Sequence, residues 1–252
     1  MIGLLPPWVT LSLSLWSIPM IALGATTVVC VWLLPRLRPN LPVIAPVALG
    51  LACLGVSVAM SPRFELNSLL TGVSDLSLHF LWQFPSAVFI AVGVGGLSFV
   101  LERKLLSLKR SSTEDDGVPP ALQGYNVPSR EESMQGIAGV ASRPLVFFLL
   151  TTVTVVGEET LFRGLFLTYA FGQSAAQFAL VIVVQAVLYA FTHIAFGPST
   201  VLSKAVLGIG LGVGAYFAGI VVAIIGHSVY QYWVYQQFAP LRYRLRQQGA
   251  TE

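Results

Sequence analysis

The chain has 252 residues, of which 55% are hydrophobic and only 10% charged, with 14 Lys and Arg against 11 Asp and Glu. Soluble domains carry about 25% charged residues, so this composition, with a mean hydropathy of +0.77, excludes an ordinary soluble globule and points to a polytopic membrane protein. The net charge of +3 is too small and too dispersed for a nucleic-acid surface.

Apolar runs near the ~20 residues needed to cross a bilayer fall at 13–34, 42–61, 78–101, 145–169, 175–197, 200–217 and 219–238. They predict an all-α bundle of about seven transmembrane helices, the last two parted only by a turn near Gly219. Residues 1–12 contain no Lys or Arg, so the first run reads as a retained transmembrane helix rather than a cleaved secretory signal. Pro19 and Pro85 sit inside the first and third runs and are expected to kink them. Trp8, Trp16, Trp32, Trp82 and Trp233 lie mostly toward run ends, where aromatic belts form. Cys30 and Cys53 fall within apolar segments and read as packing residues. His79, at the start of the third run, reads as an interfacial residue.

Placing the N-terminus outside leaves every basic residue except Arg63 and Arg163 on cytoplasmic connections or at their edges. The positive-inside rule therefore favours N-out, C-in. The expected organisation is three N-terminal transmembrane helices (1–101), a flexible cytoplasmic connection (102–143), a four-helix core (144–238) and a basic tail (239–252). Residues 101–108 mix Leu with Lys and Arg and are expected to lie along the membrane surface. The Pro-, Gly-, Ser- and acid-rich 111–130 reads as flexible. The adjacent acids Glu131 and Glu132 sit in a polar context, which shows that a pair of glutamates means little without burial.

From 144 to 238 the only ionisable Asp, Glu, Lys, Arg or His residues are Glu158, Glu159, Arg163, His193, Lys204 and His227. A charge at the centre of a bilayer costs at least ~2.5–3.5 kcal/mol on insertion scales, so such groups pair or work. In a helix Glu159 and Arg163 share a face, acid before base, and can neutralise each other. Glu158 is then rotated about 100° away and needs another partner, for which His193 and His227 are the candidates. Lys204 lies near an expected helix end and is read as snorkelling to water. Gly208, Gly210, Gly212 and Gly214 form a small-residue ladder. With no strand before it, that ladder reads as close helix approach rather than a dinucleotide loop.

Peptide hydrolysis without a nucleophilic side chain needs an activated water, a stabiliser for the oxyanion and a proton donor for the leaving amine. A carboxylate in a dry interior can serve as general base, and Glu158 is the free one of the pair. His227 and Gln231, four apart on one face, can both donate to an oxyanion. Glu158 lies near the middle of its run, His193 about two turns nearer the cytoplasmic end. Three function classes remain open on the residues alone. One is a metal-independent peptidase. Another is a zinc peptidase with His193, His227 and Glu158 as ligands, although no His-Glu-x-x-His pattern is present. The third is a non-catalytic proton relay or binding and immunity protein.

Glu158-Glu159-x-x-x-Arg163 followed by Gly164, then Tyr189-x-x-x-His193, then His227-x-x-x-Gln231, resembles the three-part signature of the CAAX protease and bacteriocin-processing (Abi) family. The resemblance covers about residues 140–238. It departs at Tyr189, where the family usually has Phe, and at Gln231, where it usually has Asn or Asp. The resemblance implies a glutamic-type intramembrane endopeptidase without a metal cofactor. Glu158 and His193 would activate water, and His227 and Gln231 would stabilise the oxyanion. Glu159, Arg163 and Tyr189 would support them. It further implies a multi-pass protein of a prokaryotic cytoplasmic membrane, acting on a membrane-inserted or lipidated peptide or protein substrate.

Overall fold

The computed structural model describes residues 7–29, 33, 34, 36, 41–60, 78–112, 143–170, 174–194 and 198–237. Among these residues there are seven α-helices and no strand: α1 Pro7–Val28, α2 Leu41–Met60, α3 Leu78–Ser112, α4 Pro144–Glu159, α5 Ala175–Phe191, α6 Pro198–Ala218 and α7 Ile220–Gln237. A π-helical turn, Thr160–Leu165, and a 3₁₀ turn, Phe166–Ala170, extend α4. Among the described residues four spans are long and apolar enough to cross a membrane: Val43–Met60, Phe84–Leu105, Pro144–Thr168 and Pro198–Ala218. Two shorter apolar helices, Leu11–Thr27 and Ala175–Phe191, accompany them.

The helices broadly follow the apolar runs; α1 begins and ends six residues before the first run, and two further differences stand out. The segment 101–108, expected along the membrane surface, is the continuation of α3, which runs unbroken to Ser112. It contains neither Pro nor Gly, so nothing stops a helix that is already propagating. The fifth run ends early. α5 stops at Phe191, and Thr192 and His193 form a turn whose N–H groups reach Tyr189 O at 3.2 Å and Ala190 O at 3.0 Å. The expectations for Cys30, for 113–142 with Glu131 and Glu132, for the tail 239–252 and for the side chains of His79, Trp8, Trp32 and Trp82 lie outside the described residues.

α3 packs on α6 and α7, α5 on α6, α2 on α4 and α1 on α2. In a lipid solvent such contacts rely on close backbone approach. A Cβ at Gly157 would fall on the Gly50 carbonyl, which brings α4 directly against α2. One at Gly95 would lie 2.7 Å from Gly226 O, which joins α3 to α7. The glycine ladder of α6 divides between its neighbours. Gly208 meets Ala186 of α5, where a Cβ would be 3.0 Å from its Cα, and Gly210 faces Val94 of α3. Gln185 donates to Gly208 O at 2.8 Å across the same contact. Trp16, half-buried, donates to Leu188 O at 3.0 Å and so ties α1 to α5.

Gly219, at φ 84°, makes the turn between α6 and α7. That conformation suits a residue without a Cβ, and its N–H closes on Ala215 O at 2.8 Å. The π turn touches α2, α5, α6 and α7. Its residues Leu161, Phe162, Arg163, Gly164 and Leu165 are all buried, so the acid pair ends inside the core.

Candidate active site

α4 is a β-branched and aromatic run opened by Pro144 at its first turn, and Thr152 and Thr154 return their hydroxyls to backbone carbonyls one turn earlier. It carries Glu158 and Glu159 to its last positions. There the backbone widens into the π turn, a geometry often found beside functional groups. Glu158, Glu159 and Arg163 are all essentially inaccessible.

The four-residue spacing of Glu159 and Arg163 holds across the α-to-π junction. Arg163 Nη1 donates to Glu159 Oε1 at 3.1 Å. The guanidinium also lies 4.1 Å above the ring of Tyr189 and 5.9 Å from that of Phe162. Two aromatic faces thus offset part of its desolvation. The same Glu159 oxygen is 2.7 Å from Nδ1 of His227, brought from α7. A carboxylate paired with a guanidinium only accepts, so the His227 proton sits on Nδ1 and Nε2 carries the lone pair. Tyr189 Oη at 3.3 Å and Gln231 Nε2 at 3.4 Å can both donate to that lone pair.

Glu158 is placed differently. Oε2 lies 4.0 Å from His227 Nε2, and neither oxygen has a hydrogen-bond partner among the described residues. Such groups are uncommon in folded proteins.

His193 lies in the turn after α5, half-buried. The Thr192 hydroxyl donates to Tyr189 O at 2.7 Å and so accepts from His193 Nδ1 at 2.9 Å; Tyr189 O is also 3.2 Å from that nitrogen. Its proton is therefore on Nδ1 as well, and Nε2 is the basic nitrogen. Tyr189 stands between the two imidazoles, its ring 5.2 Å from that of His193 and 5.9 Å from that of His227. The structure thus joins Glu159, Arg163, His227, Gln231 and Tyr189 in one contact network, with Glu158 beside His227 and His193 against Tyr189.

One reading of the sequence is corrected. Lys204 does not reach water. It is 3% exposed, with Nζ 4.0 Å over the ring of Tyr230 and 5.9 Å from that of Tyr189. Its stem starts on the buried stripe of α6 with Thr200, Leu207 and Leu211, and helix rotation turns it inward. Glu102, which sequence reasoning passed over, lies nearby on α3. Thr200 Oγ1 donates to its Oε1 at 2.7 Å, and the Tyr230 hydroxyl donates to its Oε2. The signal available in the sequence was the heptad spacing of Thr200, Lys204, Leu207 and Leu211. Among the described residues no group of three His, Cys, Asp or Glu side chains is gathered so as to hold a metal ion.

Residues 140–233 match the model of a known family, described as type II CAAX prenyl endopeptidase Rce1-like. That is a protease family, and with the apolar helices the match identifies an integral membrane protein. No curated protein and no solved structure matches the chain.

Proposed function

We propose that this chain, whose residues 140–233 are Rce1-like, is an intramembrane endopeptidase of the glutamic type. Its substrate would be a membrane-inserted or lipidated peptide. The family's description makes a prenylated C-terminal CAAX sequence the first choice. The observation that carries the reading is the contrast between two adjacent acids. Glu159 is held through Oε1 by Arg163 and His227, while Glu158, equally buried, has no hydrogen-bond partner on either oxygen among the described residues.

In this mechanism Glu158, with His193, takes a proton from the attacking water, whose oxygen adds to the peptide carbonyl. The 4.0 Å between Glu158 Oε2 and His227 Nε2 is too long for a direct hydrogen bond and leaves room for a bridging oxygen. Gln231 offers N–H to the oxyanion. His227 does so once the proton taken from the water has passed to Nε2, and Glu159 on Nδ1 stabilises the imidazolium that results. The proton finally passes to the leaving amine as the C–N bond breaks.

The test uses the full chain in lipid nanodiscs and a quenched fluorescent, farnesylated peptide ending in a CAAX sequence. Glu158→Gln is expected to abolish cleavage while the protein stays folded. Full activity in that variant rejects Glu158 as the base. Cleavage that survives removal of metal by a chelator separates this reading from a zinc peptidase.

A further inference from the structure

Arg163 is hydrogen-bonded to Glu159 through Nη1, and although its charge also reaches Glu158 it gives that acid no hydrogen bond. Glu158 is left with the His227 imidazole at 4.0 Å and a carboxylate as its chain neighbour. A buried carboxylate without a counter-charge is strongly destabilising. Among the described residues the other buried cation is Lys204. It is buried almost as fully as the acids, and it lies in electrostatic range of Glu158 and of Glu102.

Its position is fixed from three helices. Glu102 of α3 is gripped by the hydroxyls of Thr200 on α6 and Tyr230 on α7. Those bonds hold the Tyr230 ring, whose face carries the ammonium at 4.0 Å. Tyr230 also stands edge-on to His227, with ring centroids 6.3 Å apart. Lys204 therefore sits where the Glu102 cluster meets the Tyr189–His227 cluster. Glu102 lies outside the 140–233 segment that matches the family.

The geometry points to Lys204 as a positioning residue for the reaction, the counter-charge that keeps Glu158 in place and ionised, held there by Glu102 through Tyr230. The catalytic part of this rests on the peptidase reading, whereas the pairing of Lys204 with Glu158 does not. The N-terminal helices are then part of the working centre, because α3 supplies the anchor for Lys204.

Two measurements on the full chain in nanodiscs separate these claims. The first is steady-state cleavage of the farnesylated peptide. Lys204→Met is expected to lower kcat about 100-fold with KM changed less than about threefold. Lys204→Arg, which keeps the charge, is expected to stay within about tenfold of wild type, and Glu102→Gln to fall between the two. Lys204→Met within about twofold of wild-type kcat overturns the catalytic role. The second is a thermal-unfolding cycle of Lys204→Met, Glu158→Gln and the double variant. The Tm loss of Lys204→Met is expected to be at least halved in the Glu158→Gln background; additive shifts overturn the pairing. If Lys204→Met does not fold, the double variant, which lacks both charges, is still expected to fold, and its failure counts against the pairing. Wild type and Glu158→Gln that cleave the peptide equally, or not at all, defeat the peptidase reading alone, and the unfolding cycle still decides the pairing.

Discussion

Glu159 holds the imidazole of His227 by its Nδ1, 2.7 Å from Oε1, and so decides which nitrogen of that ring faces Glu158. One carboxylate oxygen thereby sets the tautomer of a residue 68 positions away in sequence while also neutralising Arg163. In the proposed mechanism it is the orienting group behind the reacting one.

Glu159→Gln is therefore expected to weaken both tasks. Arg163 is left buried without its anion, a loss of about 3–5 kcal/mol of stability. His227 loses its fixed tautomer, with kcat falling about 10²–10⁴-fold. Adding Arg163→Met to this variant is expected to restore part of the stability but none of the rate. Chemical unfolding and cleavage kinetics on the same preparations read the two effects.

Gly157→Ala tests the approach of α4 to α2. The added methyl meets the Gly50 carbonyl, a backbone atom that cannot rotate away. A destabilisation of at least about 1–3 kcal/mol is expected. Cleavage is expected to fall as well, because Glu158 is the next residue. Gly55→Ala, where an added Cβ meets nothing within 4 Å, is the matched comparison and is expected to be neutral in both unfolding and activity.

Tyr189 supplies a ring and a hydroxyl, which two substitutions separate. Tyr189→Phe keeps the face over which Arg163 sits at 4.1 Å and removes the 3.3 Å contact of Oη with His227. One hydrogen bond is worth about 0.5–1.5 kcal/mol, so activity is expected to stay within about tenfold of wild type. Tyr189→Leu removes the ring and is expected to reduce both Tm and cleavage well beyond the Phe variant.

Gln231 reaches His227 Nε2 at 3.4 Å and, in the mechanism above, offers its second N–H to the oxyanion. Gln231→Ala is expected to lower kcat about 10²–10³-fold. Gln231→Asn keeps the amide one methylene shorter and is expected to retain most of the activity. Equal loss in the two variants, measured by single-turnover cleavage, shows that chain length matters more than the amide.

The helix positions were legible because a bilayer-length apolar run is a one-dimensional signal, and seven runs became seven helices among the described residues. The Glu159–Arg163 contact was legible because helical neighbours four apart meet whatever surrounds them. The end of α5 and the extension of α3 were misjudged, since hydropathy marks where lipid could lie and not where hydrogen bonding stops. Lys204 was misread because an ammonium on a flexible stem near a helix end usually finds water.

The sequence by itself determined an all-helical chain of membrane-spanning length, with an acid pair, an arginine and two histidines set in the apolar runs of its C-terminal half. Only the tertiary structure decided that Glu159 takes His227, that Tyr189 stands between the imidazoles, and that Lys204 turns inward toward Glu102 on α3. The physical reason is that local spacing specifies contacts within one helical turn. Which charges meet across distant helices depends on the rotation of each helix about its axis, and here that rotation is set by glycine contacts such as Gly157 on Gly50 and Gly208 on Ala186.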